Sequence, residues 1–329
     1  MQQTLTRHCL STLLESTMKN QNISCTLLHS IPVKNQLGEG VIWHPQQQTL
    51  WWTDIEGKQL FCLSLDGLDD VNLSHVNLSH LKQWPVPERI GSFGFVAGSD
   101  DLIVAFESGL AFYNPQTEQI KWLGKPESDR PNNRFNDGRV DRDGRFWAGC
   151  MVEKVTENHQ GAGLYRLDHL NHEPQISRQL DGLHISNGLC WSPDGATMYH
   201  ADSPAQQIYR YTFDRHSGTP SDKQIFAKTP NEVYPDGATV DAQGSIWSAQ
   251  WGGSRVVRYT PEGEISHVLS VPVSQPSCVC FGGPELNLLF VTTAKQGLSE
   301  AALESQPEAG NLLIYQTNVK GLEEVSYRT

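Results

Sequence analysis

A chain of 329 residues with 38% hydrophobic residues and nine tryptophans can form one large domain or two ordinary ones, with ample material for a core. Its net charge of -12 argues against nucleic acid as a partner, and no apolar stretch approaches the roughly 18 residues of a membrane span. The seven cysteines are odd in number, scattered and never arranged as C-x-x-C, which is typical of reduced thiols in a cytoplasmic protein.

Residues 1–24 are predicted to be an N-terminal extension, and residues 25–329 are assigned to one domain. Charged residues interrupt the extension, so it is a poor match to a signal peptide. Four apolar residues at helical spacing make a short helix plausible: Leu10, Leu13, Leu14 and Met18.

From about residue 36 onward, short alternating strands are separated by turns rich in Gly, Pro, Asn and Asp. Each unit reads as a polar residue and Gly, an apolar strand, a turn, an aromatic-rich strand and a further strand. Six such units lie roughly 41 to 54 residues apart, which is the period of four-stranded propeller blades. The pattern predicts an all-β, six-bladed β-propeller in a single domain, with a set of independent hairpins or a two-sheet sandwich as the alternative. Residues 69–80 carry a tandem V-N-L-S-H repeat and are interpreted as an expanded loop.

The third unit opens with the run RFNDGRVDRDGRFWAG, which begins at Arg134. It places a guanidinium, an amide and a carboxylate within four residues, at Arg134, Asn136 and Asp137. Two glycine-containing turns follow and lead into a short apolar strand. The run therefore predicts a polar loop supported by a β-hairpin.

In a propeller, residues at the same phase of the innermost strands converge on the central axis. Here that phase holds Glu39, Asp137, Asn187 and Asp236, each directly before a Gly. Crowded carboxylates repel, and a bound divalent cation relieves the repulsion. Because every donor is an oxygen, Ca²⁺ is expected first, with Mg²⁺ or Mn²⁺ possible and Zn²⁺ able to substitute. For any one of these residues alone, ordinary turn chemistry is the better explanation.

Other polar residues carry weaker signals. Asp202 ends the second strand of the fourth unit near the same face, where it is either a proton acceptor or a salt-bridge partner. His184 and His200 lie in no catalytic motif, and the serines nearby lack a G-x-S-x-G setting. A serine hydrolase is therefore not supported.

Units three to six resemble the gluconolactonase, regucalcin and senescence-marker-protein family in RFNDGRVD, ISNGLCWSPDG, PDGATVDAQGSIW and CVCFGG. The resemblance runs in order from about residue 36 to the C-terminus, and it implies a six-bladed propeller. By resemblance, Glu39, Asn187 and Asp236 correspond to the ligands of a divalent metal. Asp137 then becomes a supporting residue, one fewer ligand than the convergence of four residues indicates.

The resemblance also implies a reaction, the hydrolysis of an aldonolactone to its aldonic acid, with a glucono- or pentonolactone such as L-arabinono- or D-xylono-lactone as substrate. Arg134 and Asn136 correspond to residues that contact the sugar lactone. Where mammalian members have two adjacent acidic residues, this chain has Glu153 and Lys154, so either Glu153 takes over the contact with the substrate hydroxyls or the sugar is recognised differently. Asp236 is expected to be the base as well as a ligand, with Asp202 as the alternative base.

Three classes of function stay open at this point. The first is a metal-dependent lactonase, or a related hydrolase of another ester. The second is a calcium-binding regulatory protein of the regucalcin type, and the third is a propeller that serves as an interaction module. For the lactonase we expect a small sugar lactone as partner, no nucleic acid, no membrane, and a monomer or homodimer.

Overall fold

The computed structural model describes residues 22–65, 78–157, 159–170 and 173–329, and their regular structure is almost entirely β-strand. The strands form six four-stranded antiparallel sheets, here called blades one to six. Blade one consists of β2(Gly38–His44), β3(Thr49–Asp54), β4(Gln59–Ser64) and β5(Leu81–Pro85). Blade two consists of β6(Ile90–Phe95), β7(Leu102–Phe106), β8(Gly109–Tyr113) and β9(Ile120–Gly124). Blade three consists of β10(Asn133–Val140), β11(Phe146–Val152), β12(Ala162–Leu170) and β13(Glu173–Leu183). Blade four consists of β14(Ser186–Trp191), β15(Thr197–Asp202), β16(Gln207–Asp214) and β17(Thr219–Lys228). Blade five consists of β18(Tyr234–Val240), β19(Ile246–Trp251), β20(Arg255–Tyr259) and β21(Ile265–Ser270). Blade six consists of β22(Pro276–Gly282), β23(Leu288–Thr293), β24(Leu312–Thr317) and β1(Cys25–Ile31).

The six blades are arranged in a ring. The first strand of each blade packs against the first strand of the next, and β22 of blade six packs against β2 of blade one. The all-β six-bladed propeller is therefore confirmed. The two-sheet sandwich is wrong, because the strands divide into six separate sheets around one axis.

The ring is closed by the N-terminal strand. β1 pairs antiparallel with β24 from Cys25 opposite Thr317 to Ile31 opposite Leu312, so it is the outermost strand of blade six. The sequence pattern predicted only three strands for the last unit, near residues 277, 288 and 311. The pairing of β1 with β24 is therefore a finding of the structure. It joins strands from the two ends of the propeller by backbone hydrogen bonds.

Two blades share a turn that explains the recurring V-D-x-x-G-x-x-W pattern. The buried carboxylates of Asp141 and Asp241 each accept two backbone N–H groups of the turn that follows them. Each also accepts the indole N–H of the next strand's tryptophan, Trp147 or Trp247, at 3.0 Å. One acidic side chain thus fixes both the turn and the tryptophan that fills the space between blades.

Aromatic side chains pack between neighbouring blades. Trp43 of blade one stacks on Phe290 of blade six with ring centroids 6.0 Å apart, and Trp147 contacts Trp191 across blades three and four at 5.7 Å. All four rings are at most 2% exposed. Truncating one such ring to alanine typically costs about 3–5 kcal/mol, so these contacts hold the blades in fixed relative positions.

Helical structure is sparse in the described part of the chain. One short helix, α1(Glu300–Ser305), begins after Ser299, whose side chain accepts the backbone N–H of Ala302. None of the described helices has the length and apolar character of a membrane span. The predicted N-terminal helix and most of the 69–80 loop lie outside the described residues; the end of that loop, Leu78–His80, is a 3₁₀ turn.

Candidate active site

The polar residue of each polar–Gly pair lies at a β-bulge. The pairing of the first two strands shifts register directly after Glu39 in blade one, at Asn136 and Asp137 in blade three, directly after Asn187 in blade four and at Asp236 in blade five. A bulge leaves a residue without a ladder partner and re-aims its side chain. The glycines after Glu39 and Asn187 have φ of +60° and +64°, a left-handed conformation that favours glycine. The polar–Gly pattern therefore reflects both backbone geometry and the direction of the side chain.

A cavity of about 540 Å³ opens at the axis where these bulges meet. Six of the predicted site residues line it: Glu39, Arg134, Asn136, Glu153, Asn187 and Asp236. Residues that the sequence did not indicate also contribute to the wall, among them Glu56, Ser203, Tyr234 and Trp251. A larger depression of about 720 Å³ lies on blades four and five beside Tyr199 and contains none of the predicted residues.

Negative charge on the carboxylates at the base of the cavity is energetically unfavourable. Glu39 and Asp236 are only 8% and 7% exposed. Burial raises the pKa of both groups above the ordinary range; the charge of Asp137 raises the pKa of Glu39 further, and the charges of Glu39 and Asp137 raise that of Asp236. Asp137 adds negative charge from behind. A divalent cation would relieve this repulsion, so the oxygen donors fit a hard cation.

Hydrogen bonds fix the orientation of the Asn187 amide. The hydroxyl of Ser203 donates to the carbonyl of Pro235 at 2.7 Å, so it accepts from Nδ2 of Asn187 at 2.8 Å. Oδ1 of Asn187 consequently faces Asn136, whose Nδ2 donates to it at 2.9 Å. The amide oxygen retains a second lone pair and is a suitable third donor beside the two carboxylates.

Asp137 lies behind the cavity wall and does not line it. Its Oδ2 accepts the backbone N–H of Leu189 at 3.0 Å, and the Arg139 guanidinium lies near it. Burial raises the pKa of Asp137, while the hydrogen bond from Leu189 and the charge of Arg139 oppose that shift. Asp137 therefore does not contribute to the cavity lining, and its supporting role stays a prediction.

Arg134 and Glu153 form another part of the wall. Arg134 is 5% exposed, and its Nη1 donates to Oδ1 of Asn136 at 2.8 Å. Its Nε donates to Oε1 of Glu153 at 3.0 Å. Among the described residues, Nη2 of Arg134 has no hydrogen-bond partner, which leaves one donor pair for a ligand. Arg89, outside the predicted set, also binds Glu153 with both terminal nitrogens, at 2.7 and 2.8 Å.

Asp202, like Asp137, does not line the cavity. Its carboxylate accepts the backbone N–H groups of His184 and Ile185 at 2.9 to 3.2 Å, which fixes the loop between blades three and four. His200 is fully buried, where burial lowers its pKa to about 3, and its Nε2 lies 2.9 Å from the hydroxyl of Ser186. Neither side chain of that pair lines the cavity.

The residues missed by sequence reasoning act through other side chains. Ser203 holds the amide of Asn187, and Arg89 holds Glu153. Neither belongs to a repeated motif. Within the described residues, no three side chains of His, Cys, Asp and Glu are grouped so as to hold a metal ion; the third oxygen at the base of the cavity comes from an amide.

Comparisons with known proteins agree with this fold. Residues 37–295 match the family described as SMP-30/Gluconolactonase/LRE-like region. The chain is 36% identical over 291 residues to L-arabinolactonase of Azospirillum brasilense, covering 88% of this chain and 91% of that protein. It is 33% identical to 6-deoxy-6-sulfogluconolactonase of Pseudomonas putida, covering 93% and 98% of the two chains.

A similar solved structure is that of a calcium-binding protein, regucalcin, from Agrobacterium tumefaciens. It superposes with a TM-score of 0.82 at 27% identity, covering 92% of this chain and 98% of that one. The matches extend over most of the propeller and include the strands that carry the cavity residues. The chain therefore belongs to the SMP-30/gluconolactonase/LRE-like family.

Proposed function

We propose that this chain is a lactonase that hydrolyses a sugar lactone with the help of a divalent cation. The observation that carries the proposal is a single cavity in which buried oxygen donors and the Arg134–Glu153 pair face the same space. The names of the relatives, an arabinolactonase and a sulfogluconolactonase, support lactones as the substrate class.

The cation would be held by Glu39, Asn187 and Asp236. Their hard oxygen donors favour Ca²⁺, with Mg²⁺, Mn²⁺ or Zn²⁺ as alternatives. The description of the similar regucalcin structure as calcium-binding supports the same choice. When bound, the cation supplies a Lewis acid for the lactone carbonyl.

The side chains of the wall would orient the sugar. The free Nη2 of Arg134 donates to a ring or hydroxyl oxygen, and the carboxylate of Glu153 accepts from a hydroxyl group. Asn136 keeps both Arg134 and Asn187 in place by its hydrogen bonds at 2.8 and 2.9 Å. Holding the lactone in one orientation removes much of the entropic cost of reaction.

Asp236 is assigned as the base. Its carboxylate takes a proton from the attacking water as the new C–O bond forms at the lactone carbonyl carbon. The ring C–O bond then breaks, and the departing oxygen takes up the proton held by Asp236, which gives the open-chain hydroxy acid and restores the carboxylate. Asp202 is less suited to this role, because its oxygens bind two backbone N–H groups outside the cavity lining.

Lactone hydrolysis followed with a pH indicator tests the proposal. Chelator-treated protein should be inactive on D-glucono-, D-galactono-, L-arabinono- and D-xylono-lactone, and one added cation should restore turnover of at least one of them. Glu39→Gln should weaken Ca²⁺ binding about tenfold or more, because it removes a charged ligand. Glu285→Gln, in an exposed pair with Lys320, is the matched control and should change nothing.

A calcium-binding regulatory protein is the second candidate, favoured by the same buried oxygen donors. It gives no role to Arg134. Arg134→Ala should therefore reduce kcat/KM about a hundredfold while the Kd for Ca²⁺ stays within about twofold. Tight Ca²⁺ binding without turnover of any of the four lactones would reject the lactonase and support the regulatory protein.

The remaining assignments belong to the same proposal. Residues 25–329 would form the lactonase domain, with residues 1–24 as an extension to it. A reducing cytoplasmic location follows from the scattered, odd-numbered cysteines of the sequence. A monomer or homodimer is expected, and the molar mass in solution will distinguish these two states.

A further inference from the structure

Arg89 connects three neighbouring blades at the rim of the cavity. Its Nη1 and Nη2 donate to the two carboxylate oxygens of Glu153 from blade three, at 2.7 and 2.8 Å. Nη1 also donates to Glu56 of blade one at 3.1 Å, and Nε donates to Glu107 of blade two. One guanidinium therefore satisfies carboxylates from three successive blades.

Two of those carboxylates, Glu56 and Glu153, line the cavity. The side chain of Glu153 is 33% exposed, so it reaches the ligand space while both of its oxygens are held. Partial burial alone would raise the pKa of Glu153, but hydrogen bonds and charge from Arg89 and Arg134 hold it below the ordinary value. Glu153 is thus a fixed, ionised acceptor.

Removing Arg89 would change the geometry of this rim. Glu56 and Glu107 would then lose the guanidinium that binds them, and Glu153 would keep only its contact with Arg134. The negative charges of the three carboxylates would repel one another once no guanidinium bridges them, so their side chains would move apart toward solvent. Arg134 would stay in place, because its Nη1 is bound to Asn136 and to the carbonyl of Phe135 inside the wall.

We propose that Arg89 is a positioning residue that holds Glu153 and Glu56 as hydrogen-bond acceptors for the hydroxyl groups of the substrate. This inference rests on the proposed lactonase function and makes it more specific. Arg89 then sets the preference for polyhydroxylated lactones over lactones without hydroxyl groups. It does so without touching the reacting carbonyl or the cation ligands.

The test compares D-glucono-δ-lactone with δ-valerolactone, which has the same ring and no hydroxyl groups. In Arg89→Met, KM for the gluconolactone should rise about tenfold with kcat within about twofold, and the kinetics on δ-valerolactone should be unchanged. Arg89→Lys keeps the charge without the bidentate geometry and should give an intermediate KM. The Kd for Ca²⁺ should stay within about twofold in both variants.

The matched control is Arg215→Met. Arg215 makes a similar two-point contact with Asp143, at 3.1 and 2.7 Å, on residues outside the cavity lining. Arg215→Met should leave KM and kcat for both lactones unchanged. Equal losses on the two lactones in Arg89→Met, or an unchanged KM for gluconolactone, would overturn the role of Arg89; if Arg89→Met does not fold, Arg89→Lys decides.

Failure of the proposed function is separable from failure of this inference. If the wild-type protein hydrolyses no lactone with any cation, the lactonase proposal fails. Calorimetric binding of D-gluconate and 5-hydroxypentanoate to the Ca²⁺-loaded protein then tests Arg89 alone. A preference for gluconate that is lost in Arg89→Met supports the inference, and the absence of a preference, or its persistence in the variant, overturns it.

Discussion

The amide of Asn187 shows how one side chain is oriented from outside the cavity. Because Ser203 donates its single hydroxyl proton to the carbonyl of Pro235, it must accept from the nitrogen of Asn187. The oxygen of Asn187 is thereby directed toward Asn136 and the base of the cavity. Loss of a group that orients a metal ligand typically costs about 10- to 100-fold in metal affinity, so the proposed assignment of Asn187 as a ligand gives Ser203 a testable role.

Ser203→Ala should therefore weaken cation binding. Without the hydroxyl, the amide nitrogen of Asn187 loses its acceptor and only the hydrogen bond from Asn136 still orients the group, so we expect the Kd for Ca²⁺ to rise about tenfold. Calorimetric titration measures this change. Ser217→Ala is the control, because Ser217 is an exposed residue that bonds Asp214. A Kd that is the same in the two variants would contradict the orienting role.

The buried carboxylates predict how cation stabilisation depends on pH. The folded-state pKa of Glu39, raised to about 8, lies above its unfolded value near 4.5. In the metal-free protein, the stability contributed by Glu39 is fully present below the unfolded pKa and is lost as the pH rises toward the folded pKa. Protons also compete with the cation at low pH. The increase in Tm on adding Ca²⁺ should thus be larger at pH 8 than at pH 5, and equal increases would contradict this.

Sequence alone indicated those residues that recur at one phase of the repeat. Glu39, Asn187 and Asp236 each precede a glycine, so their periodic positions revealed the convergence. Arg89 gave no such signal, since its partners Glu56 and Glu153 are 33 and 64 residues away and follow no motif. Contacts of this kind depend on how the blades pack, which a local pattern does not encode.

At the scale of secondary structure, the bulged first strands place the cavity residues. Some of their glycines are needed for close packing and have no left-handed φ. A Cβ on Gly237 would lie 2.6 Å from Sγ and 2.8 Å from Cα of Cys278, on the first strand of the next blade. In the Asp-Gly pair, a side chain that lines the cavity is therefore followed directly by a position where two blades approach closely.

Gly237→Ala should disturb both stability and the cation site. The added methyl group would push β18 from β22, at a cost of about 1–3 kcal/mol, and would displace the adjacent Asp236. We expect a lower Tm together with a weaker Kd for Ca²⁺. Gly98→Ala is the control: Gly98 has φ of +72° and no neighbour within 4 Å, so alanine there costs about 1 kcal/mol in backbone conformation alone. An unchanged Kd in Gly237→Ala would contradict the argument.

At the scale of the whole molecule, the period of the repeat was enough to predict six blades, but the connections between distant parts were not predicted. One is the β1–β24 pairing. Another is the segment of residues 319–329, here called the C-terminal segment, in which Gly321 pairs with Asp241 and Tyr327 pairs with Val96. Both contacts lie at the ends of first strands away from the cavity. A segment without alternating hydrophobicity gives no local indication of such a path.

The C-terminal segment also supplies a charge to the core of the ring. Glu324 forms an ion pair with Arg139, and the two side chains are 13% and 8% exposed. Arg139 lies beside Asp137, behind the cavity, so its charge is surrounded by the first strands of the propeller. A charge left unpaired in such a position is strongly destabilising.

Glu324→Gln should therefore lower the free energy of unfolding by about 3 kcal/mol or more, because the amide replaces the carboxylate that is ion-paired with the guanidinium of Arg139. Urea unfolding measures the loss. Glu285→Gln is the matched control, since the Glu285–Lys320 pair joins the same segment to the same ring but is 53% and 63% exposed. Such an exposed pair contributes about 0–1 kcal/mol. Equal stabilities of the two variants would show that the Glu324–Arg139 pair is not what fastens the C-terminal segment to the propeller.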